Sequence, residues 1–251
     1  MKTHIIIIAI IILILLIIYQ YLKNNIYRCA NIINSFFSNR CNNMPIFDTN
    51  SFVWSKNFRD RWTEIRDEYL QYAKIFHIPN HNKINAYVAS CDNVNKWRTL
   101  YLRAFNKNTN ISKYFPITMD LINKCPCTLA FFSVLEPHAK LEPHIGIYKG
   151  VIRYHLGLIV PEEWDKCFID IVGNKLYWRE GEDLMFDDMF LHYVENKTDQ
   201  QRVILFLDIK RNFGNIFLNT LNTIFLKFVK SNDALKNTID NANYFALFGN
   251  R

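Results

Sequence analysis

The chain has 251 residues, 50% of them hydrophobic, which is enough to bury the core of one main domain. Its 30 Lys and Arg outnumber the 23 Asp and Glu, and the formal net charge of +7 favours anionic partners such as lipid headgroups or nucleic acid. The basic residues are scattered, and no cluster of them alternates with aromatic residues as in nucleic-acid-binding segments. The composition therefore favours a membrane surface, and we expect no nucleic-acid partner.

The first predicted element is a membrane span. Residues 5–18 are apolar and uncharged, and with the flanking Thr and Tyr residues they approach the roughly 20 helical residues that cross a hydrocarbon core. The residues that follow are bulky and polar, without a signal-cleavage pattern, so we predict an uncleaved transmembrane anchor over residues 1–22. Lys2 precedes the run and Lys23 follows it. The charges therefore leave open whether the rest of the chain lies in the endoplasmic reticulum lumen or on the cytoplasmic face.

Two helices are predicted after the anchor. Residues 23–50 are rich in Asn and Ser and predict a linker close to the membrane, followed by a folded domain over residues 51–212. Apolar residues recur every three or four positions over residues 57–76, which predicts an amphipathic helix that packs on the core. A second helix is predicted around residues 116–124.

The hydrophobic period changes after Cys127. Short runs such as TLAFFSV, CFIDIV and RVILFLDI are rich in β-branched and aromatic residues and are separated by turn residues, which predicts about seven strands over residues 128–210 in an all-β sandwich or barrel. In the remaining tail, residues 213–251, the segment IFLNTLNTIFLKFVK predicts a basic amphipathic helix that docks on the core or lies in a membrane interface. The apolar side of this helix is expected to consist of Phe217, Leu221, Ile224, Phe225 and Phe228.

Two predicted strands carry charged residues among apolar ones. Because side chains alternate along a strand, Arg153 and His155 of VIRYHLGLIV point to one side and their apolar neighbours to the other. Arg202 and Asp208 share a face of RVILFLDI in the same way. An unpaired buried guanidinium is costly, so the two arginines predict a pocket for an anionic partner such as a dicarboxylate.

Two histidines, His144 and His192, lie at the edges of predicted strands. A single histidine is more often a surface residue or a hydrogen-bonded core residue than a metal ligand. Here His144 precedes the Arg153 and His155 pair, and His192 lies ten residues before Arg202. This position beside the predicted anion pocket favours a metal site.

The segments LEPHIGIYKGVIRYHLGLIVP and WREGEDLMFDDMFLHYVENKTDQQRVILFLDIKR resemble the aspartyl/asparaginyl β-hydroxylase family of Fe(II)- and 2-oxoglutarate-dependent dioxygenases, and are nearest to its lipid A hydroxylase branch. The resemblance covers residues 51–212. It implies a mainly β fold, a double-stranded β-helix or jelly roll with flanking α-helices. It also implies Fe(II), 2-oxoglutarate as co-substrate and O2.

The resemblance assigns roles to seven residues. His144 and His192 are expected to hold the iron. Arg202, helped by Ser133, is expected to pair with the distal carboxylate of 2-oxoglutarate. The rest of the co-substrate site is expected to be lined by Arg153, His155 and Trp97.

One residue departs from the usual pattern. Most such dioxygenases complete a facial triad with a carboxylate, and the lipid hydroxylase branch carries it two residues after the first histidine. This chain has Gly146 there, as in the protein-hydroxylating branch, where water is thought to complete the shell. Asp187 and Asp188 match the family's FDD motif, and we expect them to support the site rather than bind the metal.

Three functions follow from these expectations. The leading hypothesis is a membrane-anchored dioxygenase that hydroxylates an Asp or Asn side chain of a protein or peptide, because Gly146 matches that branch. The alternative is hydroxylation of a lipid acyl chain, which the anchor and the basic tail favour. A non-catalytic β-sandwich that binds a partner is the third, although the presence of both histidines and both arginines argues against it.

Overall fold

The structure, a computed structural model, describes residues 13, 20–22, 25–41, 43–75, 78–84, 95–230 and 233–248. Its helices are α1 (Ile26–Ser38), α2 (Ser55–Asp60), α3 (Trp62–Ala73), α4 (His81–Ile84), α5 (Pro116–Asn123), α6 (Ile216–Lys230) and α7 (Asp233–Phe248). Its strands are β1 (Ile46–Phe47), β2 (Trp97–Ala104), β3 (Lys107–Asn108), β4 (Cys127–Leu135), β5 (Lys140–His144), β6 (Val151–Ile159), β7 (Cys167–Ile171), β8 (Asn174–Tyr177), β9 (Asp183–Phe186), β10 (His192–Asn196) and β11 (Arg202–Lys210). Single 3-10 turns cover Thr49–Ser51, Asn110–Tyr114 and Trp164–Lys166.

Within the described residues the strands form two antiparallel sheets. The larger sheet has the order β1-β9-β6-β11-β4-β2-β3, and the smaller one β5-β10-β7-β8. Strand β11 lies between β4 and β6 at the centre of the larger sheet. In its register Phe206 lies opposite His155 and Asp208 lies opposite Arg153, so the charged residues of β6 and β11 share one face, as their alternation predicts.

The two faces of the larger sheet have different partners. On one face, Tyr154 of β6 and Leu205 of β11 belong to a core that includes Tyr69 of α3. On the other face, Phe206 belongs to a second core with Ile169 of the smaller sheet. The predicted mainly β architecture with flanking helices is confirmed, and the charged residues of β6 and β11 point between the sheets.

Most predicted elements are confirmed, with two shifts in their limits. The helix predicted over residues 57–76 is two helices, α2 and α3, because the backbone of Arg61 leaves the helical region (φ −116°, ψ 20°). The structure places eight strands, β4 to β11, in the part of the chain where about seven were expected. Strand β2 and helix α7 were not predicted, because arginines interrupt the apolar pattern of WRTLYLRA and α7 is rich in Asn and Asp, which are weak helix formers.

Helix α6 has the predicted limits, and only part of its expected apolar side faces the core. The buried residues of the helix are Leu218, Asn222 and Phe225. Phe217 and Ile224, expected on the apolar side that docks on the core or lies in a membrane interface, are 64% and 59% exposed. The apolar surface of α6 is wider than the core it covers, and hydrophobic spacing alone does not show which part of that surface is buried.

The segment predicted as a linker, residues 23–50, contains helix α1 and strand β1, and β1 pairs with β9. The side chain of Asn34 in α1 holds the loop that follows β5. Its Nδ2 donates to the carbonyl of Ile147 at 2.8 Å, and its Oδ1 accepts from the backbone N–H of Lys149 at 2.8 Å. A free linker would make no such contacts. The limits of the other predicted domains, 1–22, 51–212 and 213–251, stay a prediction.

The predicted anchor over residues 1–22 lies outside the described residues except for residues 13 and 20–22. In the part of the chain that the structure describes, no helix combines the length and the apolar character needed to cross a membrane.

Beneath the loop after β5 lies a buried cluster of charges. The Oδ2 of Asp187 is 2.6 Å from Nζ of Lys149 and 2.6 Å from Nη2 of Arg211. Oδ1 of the same carboxylate accepts from the backbone N–H of Met189 at 3.0 Å. One carboxylate thus pairs with two buried cations, and it joins the loop after β5 to the residue that follows β11.

We expect Asp187→Asn to destabilise the fold strongly, because it leaves two buried cations without a counter-charge. The expected loss is roughly 3–5 kcal/mol in the free energy of unfolding, measured by urea titration with circular dichroism. Asp60→Asn is the matched control, because its ion pair with Lys56 is exposed and such pairs contribute at most about 1 kcal/mol. Equal losses in the two variants would contradict the structural role of the cluster.

Candidate active site

The two candidate metal ligands lie side by side on neighbouring strands. His144 ends β5, His192 begins β10, and the two are opposite each other in the strand register. Their ring centroids are 4.2 Å apart. Nδ1 of His144 is 2.7 Å from the carbonyl oxygen of Glu142, and Nδ1 of His192 is 2.8 Å from that of Phe190. These contacts assign the proton of each ring to Nδ1 and leave Nε2 as the free acceptor that a metal requires.

Burial keeps both rings in the form that binds metals. It lowers the pKa of His192 to about 4 and also lowers the pKa of His144 below its usual value. Both imidazoles are therefore neutral near pH 7, and a neutral imidazole nitrogen is the common ligand of transition metals.

Asp188 adds a carboxylate to this pair. Its Oδ1 lies 3.2 Å from Nε2 of His192, so two acceptor atoms face each other. Arg153 pairs with Asp188 on another side. A metal cation beside Nε2 would give the bare nitrogen a partner, so the donors present fit a divalent transition metal. Among the described residues no group of three His, Cys, Asp or Glu side chains encloses a metal site by itself.

The structure gives a steric reason for Gly146. A Cβ added at this position would overlap the side-chain carboxylate of Asp188. The backbone N–H of Gly146 also donates to the carbonyl of Asp188 at 2.6 Å. Asp188 therefore occupies the space next to the histidines that a side chain at position 146 would need.

One narrow pocket between the sheets brings together all seven residues singled out from the sequence. They come from β2, β4, β5, β6, β10 and β11. The seven are Trp97, Ser133, His144, Arg153, His155, His192 and Arg202.

Arg202 places a buried positive charge in the pocket. It is only 2% exposed, its guanidinium lies 4.5 Å from the ring of Trp178, and it makes no ion pair with any described residue. Burial lowers its pKa to about 10, so it stays charged at neutral pH. A buried guanidinium without a counter-charge is unfavourable, so the pocket fits an anionic ligand.

Three other predicted residues complete the pocket wall. Both ring nitrogens of His155 are buried without a hydrogen-bond partner, and burial, with Arg202 nearby, lowers its pKa well below the usual value. Nε1–H of Trp97 donates to Oγ of Ser133 at 2.9 Å. Ser133 can then donate its own hydroxyl proton to a ligand.

Arg153 lines the pocket, but its charge is already balanced by the protein. Besides Asp188, its Nε lies 3.4 Å from Oδ1 of Asp208. Burial raises the pKa of Asp208 to about 6. The sequence places Asp208 on the correct face but does not reveal this pairing, because the register of β6 against β11 is not visible in it.

An apolar cleft adjoins the pocket. It has a volume of about 260 Å³ and shares Trp97, His144, Arg153 and Phe206 with the pocket wall. Away from His144 the cleft continues to the two helices α1 and α6. The helix residues that line it are Ile26, Tyr27, Ala30, Phe225, Leu226 and Val229.

Neither this cleft nor His81 is predicted from the sequence. His81 is buried and stacks on Trp97 with ring centroids 3.8 Å apart. Burial lowers the pKa of His81 to about 3, so the ring is neutral. No local pattern marks either feature, because both arise where segments distant in sequence pack together.

Comparisons with known proteins agree with the geometry. The family model described as Aspartyl/Asparaginyl beta-hydroxylase matches residues 59–212. The ornithine lipid ester-linked acyl 2-hydroxylase of Rhizobium tropici is 36% identical over 75% of this chain and 70% of its own length. The human aspartyl/asparaginyl beta-hydroxylase is 29% identical over 61% of this chain, which spans only 20% of that protein.

Among solved structures, a cupin 2 conserved barrel domain protein from Salinispora arenicola aligns with a TM-score of 0.32 at 11% identity, over 51% of this chain and 83% of that one. The family assignment rests on the sequence comparisons. With a matching family model over most of the folded part and a relative above 30% identity along most of both chains, this chain belongs to the aspartyl/asparaginyl β-hydroxylase family of 2-oxoglutarate-dependent dioxygenases and is a hydroxylase.

Proposed function

We propose that this protein is an Fe(II)- and 2-oxoglutarate-dependent dioxygenase that hydroxylates the acyl chain of a membrane lipid. Its two-sheet fold is then the double-stranded β-helix that the resemblance implies. The observation that carries the proposal is a buried, unpaired Arg202 in the same pocket as two neutral, adjacent imidazoles.

His144 and His192 would hold the iron through their Nε2 atoms. Bound iron and 2-oxoglutarate would supply the activation of O2 that replaces a C–H bond by C–OH. The backbone carbonyls of Glu142 and Phe190 hold the two rings in one tautomer. Asp188 keeps a carboxylate beside Nε2 of His192, and Arg153 keeps that carboxylate oriented.

Arg202 would bind the distal carboxylate of 2-oxoglutarate, because it has a buried positive charge and no other counter-charge among the described residues. Ser133 would add a hydroxyl hydrogen bond to the same carboxylate. His155 would gain a hydrogen-bond partner for a ring nitrogen that otherwise has none. Trp97 and Arg153 would form the wall between the co-substrate and the cleft.

The shape and lining of the cleft favour a lipid over an Asp or Asn side chain. A short polar side chain needs few apolar contacts, whereas an acyl chain needs a long apolar path to the metal. The cleft is lined mainly by apolar side chains and runs from His144 to α1 and α6. The Rhizobium relative, which matches most of this chain, is named as an acyl hydroxylase.

Gly146 no longer distinguishes the two substrate classes, because Asp188 gives a steric reason for the glycine. Hydroxylation of an Asp or Asn side chain is the second candidate, and it is supported by the match to the human β-hydroxylase. The non-catalytic alternative loses support, since all seven expected residues line one pocket. A site at a membrane, with the single-pass anchor over residues 1–22, is part of this proposal, and the side of the membrane stays open.

We expect His144→Ala and His192→Ala each to weaken metal binding by more than about 100-fold, because a site with two protein ligands loses half of them. Titration with Fe(II) without O2, or with Mn(II), measures this. His138→Ala is the matched control, because His138 is exposed and pairs only with Asp199 at the surface. Unchanged metal affinity in both variants, His144→Ala and His192→Ala, would contradict the proposed metal site.

We expect Arg202→Met to raise the dissociation constant for 2-oxoglutarate by on the order of 10²–10³-fold, because truncating one side of a buried charge pair costs several kcal/mol. Metal affinity and the stability of the unliganded protein should not fall, since the guanidinium has no counter-charge there. Isothermal titration in the presence of Mn(II) measures the change. Arg179→Met is the control, because Arg179 also stacks on a tryptophan, Trp164, but does not line the pocket. Equal affinities of Arg202→Met and the unaltered chain for 2-oxoglutarate would contradict the role assigned to Arg202.

We expect the full chain, with Fe(II), 2-oxoglutarate and ornithine lipid, to add one oxygen atom to an acyl chain and to release succinate. Leu129→Trp, which places a larger side chain in the cleft, should lower lipid turnover by about tenfold or more while 2-oxoglutarate binding is kept. Leu70→Trp, at a partly exposed position on α3, is the control. Mass spectrometry that finds the added oxygen on Asp or Asn of a peptide, and none on lipid, would favour the second candidate.

A further inference from the structure

Helices α1 and α6 approach each other near both of their ends and run in opposite directions. Near the end of α1, Phe36 lies 6.4 Å from Phe217 at the start of α6. At the other end Ile26 packs with Phe225. The two helices therefore form one antiparallel pair at the edge of the domain.

The outer side of this pair is apolar and partly exposed. On α6, four apolar residues at helical spacing lie next to the buried ones, and on α1 two residues one turn apart lie beside them. Ile32, Phe217 and Ile224 are 66%, 64% and 59% exposed. We call this surface the seam, and it consists of Ile32, Phe36, Phe217, Leu221, Ile224 and Phe228.

The charges around the seam favour an anionic partner. Neither α1 nor α6 contains an Asp or a Glu. Their basic residues are Arg28, Lys227 and Lys230. An apolar helical face with only basic charges beside it is the composition of helices that lie in the interface of anionic lipid bilayers.

The seam lies on the same two helices as part of the apolar cleft. Tyr27 at the start of α1 and Leu226 and Val229 near the end of α6 line the cleft. The apolar residues 5–18 come shortly before α1 in the sequence, so they connect to the chain at this same end. An acyl chain that enters between these helix ends is led along apolar side chains towards His144.

We propose that the seam docks on the surface of an anionic lipid bilayer and that the acyl chain enters the cleft directly from the bilayer, between the start of α1 and the end of α6. The docking is independent of the chemistry at the metal site, whereas the entry of an acyl chain rests on the proposed function. Apolar residues 32, 217 and 224, exposed in the described structure, become buried in lipid.

The first experiment measures docking without turnover. The full chain is reconstituted in vesicles that mix phosphatidylglycerol and phosphatidylcholine with brominated acyl chains, which quench tryptophan emission on contact. Ile224→Trp should show added emission that is quenched, relative to the unaltered chain. Val53→Trp, at a position that is 90% exposed outside the helix pair, should show added emission that is not quenched. Equal quenching of both added tryptophans, or of neither, overturns the docking.

The second experiment measures entry of the substrate. Phe217→Asp/Ile224→Asp should lower turnover of the acyl lipid in these vesicles by on the order of tenfold, because two apolar side chains lose their burial. The turnover of the same lipid dispersed in detergent micelles should not change. Val53→Asp/Val172→Asp, which places two charges at exposed positions elsewhere, should leave both rates unchanged. Equal losses in vesicles and micelles overturn the proposal.

Two further results separate this inference from the proposed function. Quenching of Ile224→Trp without hydroxylation of any lipid supports docking and rejects the acyl substrate. Loss of a dimer in Phe217→Asp/Ile224→Asp, seen by light scattering without lipid, assigns the seam to a second copy of the chain and overturns the docking. Binding of 2-oxoglutarate with Mn(II) by each variant shows that it is folded.

Discussion

The site depends on a positive charge that the protein buries and does not neutralise. Arg202 begins the central strand of the larger sheet, lies over Trp178, and faces the smaller sheet, and no acidic side chain among the described residues pairs with it. Burying a charge without a counter-charge costs stability. Binding of an anion beside the guanidinium recovers this cost.

The other buried charges near the site contact side chains of opposite charge, and this separates their roles from that of Arg202. Arg153 lies between Asp188 and Asp208, and Asp187 lies between two buried cations under the loop after β5. Asn34 holds the same loop from helix α1. The loop that follows His144 is thus held by Asn34 of α1, by Asp187 through Lys149, and by the backbone carbonyl of Asp188. Fixed ligand positions of this kind are what a metal site with only two protein ligands requires.

The sequence predicts most of the strands and the seven residues that line one pocket together, whereas their roles stay a prediction. Alternation along β6 and β11 predicts that Arg153, His155 and Arg202 point to one side, because a strand in a two-sheet protein has only two sides. The pairing of Arg153 with Asp208 depends on strand register, and the overlap of Gly146 with Asp188 depends on a loop packing against another loop. Neither of these contacts produces a periodic pattern in the sequence. The sequence does not show which part of α6 is buried, because that helix is apolar over more of its circumference than the core covers. The cleft is not visible in the sequence either, because it forms where α1 and α6 meet the sheet.

The overlap between Gly146 and Asp188 couples two positions that are far apart in sequence. A new aspartate at position 146 would push Asp188 away from Arg153 before it could serve the metal, so this single exchange would damage the site by itself. A smaller residue at position 188 alone would remove the carboxylate without providing another. The side chains at positions 146 and 188 compete for one space in this chain, so an engineered change at either position has to take account of the other.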